Sequence, residues 1–165
     1  MQTPVNVLVL CTGNSARSIL GEVLINALGQ DRFRAFSAGS QPVGRVNPHA
    51  IDTLRREGLP TEGLASKSWD RFSAAGAPDI DIVITVCDSA ASEPCPVWPG
   101  GPPTVHWGIP DPAAVSGSDG ERRAAFDAAF AALKRRIDAM CRLPVETLDR
   151  EALAAALATI HQDAS

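Results

Sequence analysis

No tyrosine occurs among the 165 residues, and five phenylalanines and three tryptophans are the whole aromatic complement. Long apolar runs are also missing. The stretch VNVLVL, Val5 to Leu10, is too short for a membrane span or a secretory leader, and no basic segment precedes it. Positive charge is in deficit: 15 Lys+Arg stand against 19 Asp+Glu, a formal net charge of −4. That balance argues against nucleic acid or an acidic membrane surface as partner, while leaving room for a local anion site. Neither G-x-x-x-x-G-K-[ST] nor G-x-G-x-x-G occurs, so no nucleoside triphosphate or dinucleotide site is indicated. Cys87, Cys95 and His106 have no CxxC or HxxxH spacing that would support zinc. There is no repeat, and the one compositional bias is the Pro/Gly cluster from Pro94 to Pro103. Four cysteines without a leader point to a reducing compartment, with the cytoplasm as the expected location.

The length suits one domain with its own core. Val5 to Leu10 reads as a short central strand. From Ala16 to Leu28, apolar residues recur at helical spacing, with Gly29 as the expected stop. Arg34 to Ser37 reads as a second strand. Asn47-Pro48 reads as an N-cap followed by proline at the first helical position, with Gly58 closing that helix. Ile80 to Val86 is strand-like through its β-branched residues, and Thr104 to Trp107 makes a fourth strand. Ser118 to Glu121 forms a capping box before a long helix carrying Phe126, Phe130, Leu133, Ile137 and Met140 on one stripe. A last helix, about Asp149 to His161, carries Leu153, Leu157 and Ile160. The alternation predicts an α/β three-layer sandwich around a mainly parallel sheet. The expected division is a main domain over 1–143, with a C-terminal helical extension over 144–165 packed on it.

In such folds ligands bind beyond the carboxyl ends of the strands. There the sequence reads Cys11-Thr-Gly-Asn-Ser-Ala-Arg17-Ser18, a C-x5-R-S spacing. A loop bending from strand into helix turns successive N–H groups toward a common centre, and the helix adds its positive end. Thr12, Gly13, Asn14, Ser15, Ala16 and Ser18 are the expected cradle for a tetrahedral oxyanion. Arg17 closes it with paired charge-assisted hydrogen bonds that lysine could not copy. Gly13 and Asn14 tolerate unusual backbone angles. The same field is expected to lower the Cys11 pKa and hold it as a thiolate, with Ser18 as a hydrogen-bond donor to the sulfur. A buried cysteine ending a core strand before an ordinary helix is the plainer alternative. The arginine six residues on weighs against it.

Asp111, in Ile109-Pro110-Asp111-Pro112, is a candidate general acid on a stiff loop, although Asp-Pro alone is a turn signal. Cys87 ends the strand DIVITVC, and consecutive strand ends emerge on one side, so it can approach Cys11. Taken alone, Cys87 is a core thiol and Cys95 a loop thiol. Cys141 reads as core, His49 and His161 as surface helix residues, and His106 as a packing residue. The basic groups Arg55-Arg56, Arg122-Arg123 and Lys134-Arg135-Arg136 read as solvated faces.

The motif CTGNSARS, the SAGS of Ser37 to Ser40 and the later Asp111-Pro112 resemble the low-molecular-weight tyrosine phosphatase superfamily, and within it the arsenate reductase branch. The resemblance implies a four-stranded parallel sheet flanked by helices, here with an extra C-terminal helix. It also implies a thiol relay. Arsenate condenses on Cys11, Cys87 attacks that sulfur and expels arsenite, and Cys95 then moves the disulfide outward to Cys87–Cys95. No bound cofactor is implied, only an external thiol reductant. Seven residues separate Cys87 from Cys95, one more than in thioredoxin-coupled members, so both thioredoxin and glutaredoxin with glutathione stand as transient partners. Arsenate, phosphate and sulfate are the oxyanions such a cradle would take. Phosphatases of this family place aromatic residues after the Asp-Pro. Here DPAAV offers an aryl ester nothing to stack on. The alternatives are a phosphatase acting on phosphotyrosine or small phosphate esters, and a non-catalytic oxyanion- or redox-sensing module. The resemblance further implies a potassium ion near Asn14, Glu22 and Ser37, with its fourth position around Trp69-Asp70.

Overall fold

The computed structural model describes residues 3–87 and 101–164. In chain order these form β1 (Val5–Cys11), α1 (Arg17–Gly29), β2 (Phe33–Gly39), α2 (Pro48–Arg56), α3 (Asp70–Ser73), β3 (Ile82–Thr85), β4 (Thr104–His106), a 3₁₀ turn (Pro112–Ala114), α4 (Asp119–Cys141) and α5 (Arg150–Ala164). The sheet order is β2-β1-β3-β4 and every pairing is parallel. β1 is therefore an inner strand, as its apolar run requires.

The two-residue period of β1 divides the core. Val7, Val9 and Cys11 face the larger cluster, with α1, α4 and α5. Leu8 and Leu10 face a smaller one completed by Ala38, Phe72, Ile80 and Val83. Each of these fully buried aliphatic side chains contributes about 1.5–3 kcal/mol of transfer free energy. The nucleophile candidate thus ends a strand buried on both faces.

Helix boundaries follow local chemistry. Asn47 caps α2 by accepting from His49 N at 2.8 Å, with Pro48 at the first position. Ser118 Oγ accepts from Glu121 N at 3.2 Å at the head of α4. Gly29 lies inside α1 rather than after it, and the left-handed residue is Gln30, at φ 50°. The glycine has a packing reason: a Cβ there would stand 2.7 Å from Phe33 Cβ.

α5 buries Leu153, Leu157 and Ile160 in the common core. The Trp107 indole Nε1 donates to Leu157 O at 2.9 Å. Two surface readings are corrected here. Arg136 is buried, and its Nε donates to His161 Nδ1 at 3.0 Å while Nη1 donates to Ala132 O at 2.8 Å. His161 is accordingly a partly buried acceptor. The long guanidinium reaches under α5, which a pattern of helix faces does not reveal.

Candidate active site

β1 delivers Cys11 to the carboxyl edge of the sheet, opposite Gly39 of β2. The loop then turns into α1, whose N-cap is Ala16 with no side-chain hydrogen bond. An uncapped helix start leaves its first N–H groups to a ligand. Asn14 takes the left-handed conformation at φ 46° and is fully buried. Its carboxamide works on both sides: Nδ2 donates to Ser18 Oγ at 2.8 Å, and Oδ1 accepts from Lys67 N at 2.9 Å.

The loop carbonyls are satisfied by later segments. Thr12 O accepts from Gln41 N at 2.9 Å, Gly13 O from Val43 N at 3.1 Å and Ser66 Oγ at 3.0 Å, and Ser15 O from Asn47 N at 2.8 Å. Gly39 fits beneath the loop, in pairing with the 67–69 segment through Gly39 N to Lys67 O (2.9 Å) and Trp69 N to Gly39 O (3.0 Å). SAGS is thus a floor for the cradle.

Arg17 lies across from Cys11. Its Nη1 donates to Ile109 O at 2.9 Å, and Nη2 stands 3.6 Å from Asp111 Oδ2. Asp111 Oδ1 accepts from Ala113 N at 3.0 Å, which fixes the carboxyl at the head of the 3₁₀ turn. Two buried polar side-chain atoms, Arg17 Nε and Ser40 Oγ, have no hydrogen-bond partner among the described residues. Buried polar atoms are nearly always paired, and a bound oxyanion is the kind of ligand that a guanidinium NH and a hydroxyl both satisfy.

Cys87 is the neighbour the sequence pointed to. Its Sγ accepts from Thr12 N at 3.3 Å and lies 3.5 Å from Thr12 Oγ1. Cys11 and Cys87 are both buried, no disulfide joins them, and Cys87 lies near enough to act on the Cys11 thiol. This arrangement works against the expected lowering of the Cys11 pKa. The bond to Cys87, then burial, then the Cys87 charge push the Cys11 thiol strongly up, while Arg17 and the Gly13 N–H pull it down less. Ser18 does not serve the sulfur either: its Oγ is engaged by Asn14.

Asn14, Glu22 and Ser37 lie close to the Lys67 side chain or backbone, as follows. Ser37 Oγ donates to Glu22 Oε1 at 2.8 Å, and the Lys67 ammonium lies 3.7 Å from Glu22 Oε1 and 3.5 Å from Ser37 Oγ. A built-in cation stands where potassium was expected, so the residues present do not fit that ion. Burial lowers the Lys67 pKa, and Glu22 opposes the shift. Lys67 and Ser66 had no signal in the sequence, because their contacts to the loop span 53 residues.

Cys95 lies outside the described residues, as does the 88–94 segment that would carry it. His106 Nδ1 is 2.8 Å from Thr85 Oγ1, a structural contact. Cys141 is partly buried against the core. Among the described residues no His/Cys/Asp/Glu group would hold a metal ion, and no helix is long and apolar enough to cross a membrane.

A thiol set in a strand-to-helix turn beside an arginine that faces an Asp-Pro carboxyl defines a class of site. Residues 6–154 match the family described as low molecular weight phosphotyrosine protein phosphatase, and the chain belongs to it. An arsenate reductase of Halalkalibacterium halodurans is 37% identical over 117 residues, covering 71% of this chain and 81% of the relative. The crystal structure of an arsenate reductase from Archaeoglobus fulgidus superposes with a TM-score of 0.64 at 27% identity, covering 82% of this chain and 98% of that one. A tyrosine phosphatase from Erwinia amylovora shares the fold, with a TM-score of 0.59 at 24% identity over 78% of this chain and 85% of that one. The four-stranded parallel sheet flanked by helices is that of the family.

Proposed function

We propose that this protein reduces arsenate to arsenite, with Cys11 as nucleophile and Cys87 as the second thiol. One observation carries the reading: a second buried cysteine, Cys87, lies beside the nucleophile, its Sγ accepting from Thr12 N at 3.3 Å. Arsenate reduction needs an electron pair from sulfur, whereas hydrolysis of a phosphate ester has no use for a second thiol. The similarity to the Halalkalibacterium and Archaeoglobus reductases supports the same choice.

With the Cys11 pKa raised by Cys87 and by burial, attack begins with its proton passing to an oxygen of the bound hydrogen arsenate dianion. The thiolate then attacks arsenic while Asp111 protonates the departing oxygen. Water leaves, and a Cys11 S–As(V) bond forms. Arg17 and the loop amides stabilise the charge on the remaining oxygens. Cys87, as thiolate, attacks the Cys11 sulfur. The S–As bond breaks with its electron pair going to arsenic, giving arsenite and a Cys11–Cys87 disulfide. Attack by Cys95 on Cys87 frees Cys11 as thiolate and leaves Cys87–Cys95 for an external thiol to reduce.

The test is arsenite production in the presence of a thiol reductant. Cys11→Ser abolishes it. Cys87→Ser abolishes multiple turnover but leaves any hydrolysis of an aryl phosphate nearly intact. Mass spectrometry after one turnover should find Cys87 bonded to Cys95. Aryl phosphate hydrolysis without arsenite would establish the phosphatase alternative, and anion binding without either turnover would leave a sensor.

A further inference from the structure

Lys67 touches the oxyanion loop and its supports with its backbone and with its charge. Its N–H donates to Asn14 Oδ1 at 2.9 Å, and its carbonyl accepts from Gly39 N at 2.9 Å. Its ammonium donates to Ala65 O at 2.9 Å and lies 3.5 Å from Ser37 Oγ and 3.7 Å from Glu22 Oε1. Ser37 Oγ in turn donates to Glu22 Oε1 at 2.8 Å. The Lys67 and Glu22 side chains are only 14% and 15% exposed, so this ion pair is largely out of water. Asn14, Ser18 and Glu22 follow one another at four-residue steps, and the Asn14 carboxamide donates to Ser18 Oγ at 2.8 Å. One residue therefore holds the left-handed apex of the loop with its amide and the second turn of α1 with its charge.

A dissolved cation has little to gain there. Asp70, the other carboxylate in the expected potassium set, is exposed at the head of α3. Among the described residues Glu22 is the only carboxylate paired with the ammonium, and Arg71 adds a second positive charge nearby. An added ion would meet two positive charges and one negative. We infer that Lys67 is a positioning residue whose ammonium serves as a tethered monovalent cation: by holding Glu22 and Ser37 beneath the loop, it makes oxyanion binding independent of dissolved potassium. A compact charge on the chain itself is already in place when the ligand arrives and does not exchange with bulk ions. Without it, Glu22 is a partly buried carboxylate with no counter-charge, and the helix turn behind the loop loses its anchor. The inference rests on the cradle reading, that the loop binds an oxyanion, and holds equally for reduction and for ester hydrolysis.

The experiment titrates sulfate, which the thiols do not reduce, into the full chain by calorimetry. It is run in choline chloride and in potassium chloride at equal ionic strength, with sulfate added as the salt of the same cation. Wild-type affinity and Tm should be the same in both. Lys67→Ala removes the charge and leaves room for an ion beside Glu22. Its sulfate Kd should rise about tenfold in choline chloride, the scale on which losing a residue behind a ligand's own contacts weakens binding. Potassium chloride should restore most of that affinity and raise the Tm of the variant. Lys67→Met fills the space without the charge, and should show the same loss with no recovery. The inference is overturned by a wild type whose affinity depends on potassium, by wild-type affinity of Lys67→Ala in choline chloride, or by a loss in Lys67→Ala that potassium does not reverse. The wild-type comparison stands whether or not the variants fold. No sulfate binding by the wild type in either salt instead overturns the cradle reading itself.

Discussion

Gly39→Ala tests the cradle without touching a reacting group. A Cβ on Gly39 would stand 2.4 Å from Thr12 O, 2.9 Å from Cys11 O and 3.0 Å from Asn14 N, all backbone atoms of the oxyanion loop. No rotamer change relieves such contacts. Gly39 has no positive φ, so alanine meets no conformational objection of its own, and the clash stands alone. Reaching ordinary contact requires the Thr12 carbonyl to retreat by about 1 Å, and a displacement of that size at a reacting centre costs roughly 10²-fold in rate. Overpacking of this kind costs about 1–3 kcal/mol of stability. In a chain of this length that lowers Tm by about 2–12 °C, at roughly 2–4 °C per kcal/mol. The assays are calorimetric unfolding, oxyanion affinity by titration of sulfate, and kcat/KM for arsenate. Wild-type Tm together with wild-type sulfate affinity would refute the claim that SAGS supports the loop by close backbone contact.

Cys87→Ala removes both the hydrogen bond and the charge that raise the Cys11 pKa, leaving Arg17 and the Gly13 amide opposed only by burial. The pH profile of Cys11 alkylation by iodoacetamide should therefore move to lower pH; a profile that stays in place would show that Cys87 does not hold the proton on Cys11. His161 has its pKa lowered by burial, by Arg136 and by His106, so the unfolded chain binds more protons below pH about 6.5. The associated stability is present above that pH and is lost as the pH falls below it. His161→Gln, which keeps an acceptor for Arg136 Nε, should flatten the dependence of Tm on pH between about 7.5 and 5 relative to wild type. Trp107→Phe deletes the bond to Leu157 O and should cost about 1 kcal/mol, read as a lower urea midpoint at unchanged m.

The features that local pattern encodes were readable from the chain: the short apolar run of β1, the Asn47-Pro48 and Ser118 caps, the helical stripe of α4 and the C-x5-R-S turn. Each depends on residues within a few positions of one another. The acidity of Cys11 was not readable, although its helix end and arginine were. The arginine and the Gly13 amide do pull its pKa down, but the larger opposing effect comes from a thiol 76 residues away whose distance only the tertiary structure sets. Lys67 shows the same rule in a different chemistry. From sequence it is one lysine in a polar stretch. In the fold its amide holds the Asn14 side chain and its ammonium joins α1 to β2 through Glu22 and Ser37. What such a site binds is legible in the loop, whereas the protonation state in which it waits is decided by what the rest of the chain lays against it. A second thiol in contact with the nucleophile therefore has a cost as well as a use. It raises the Cys11 pKa, and under the reduction proposed above that is tolerable because the reaction later requires a second sulfur, as ester hydrolysis does not.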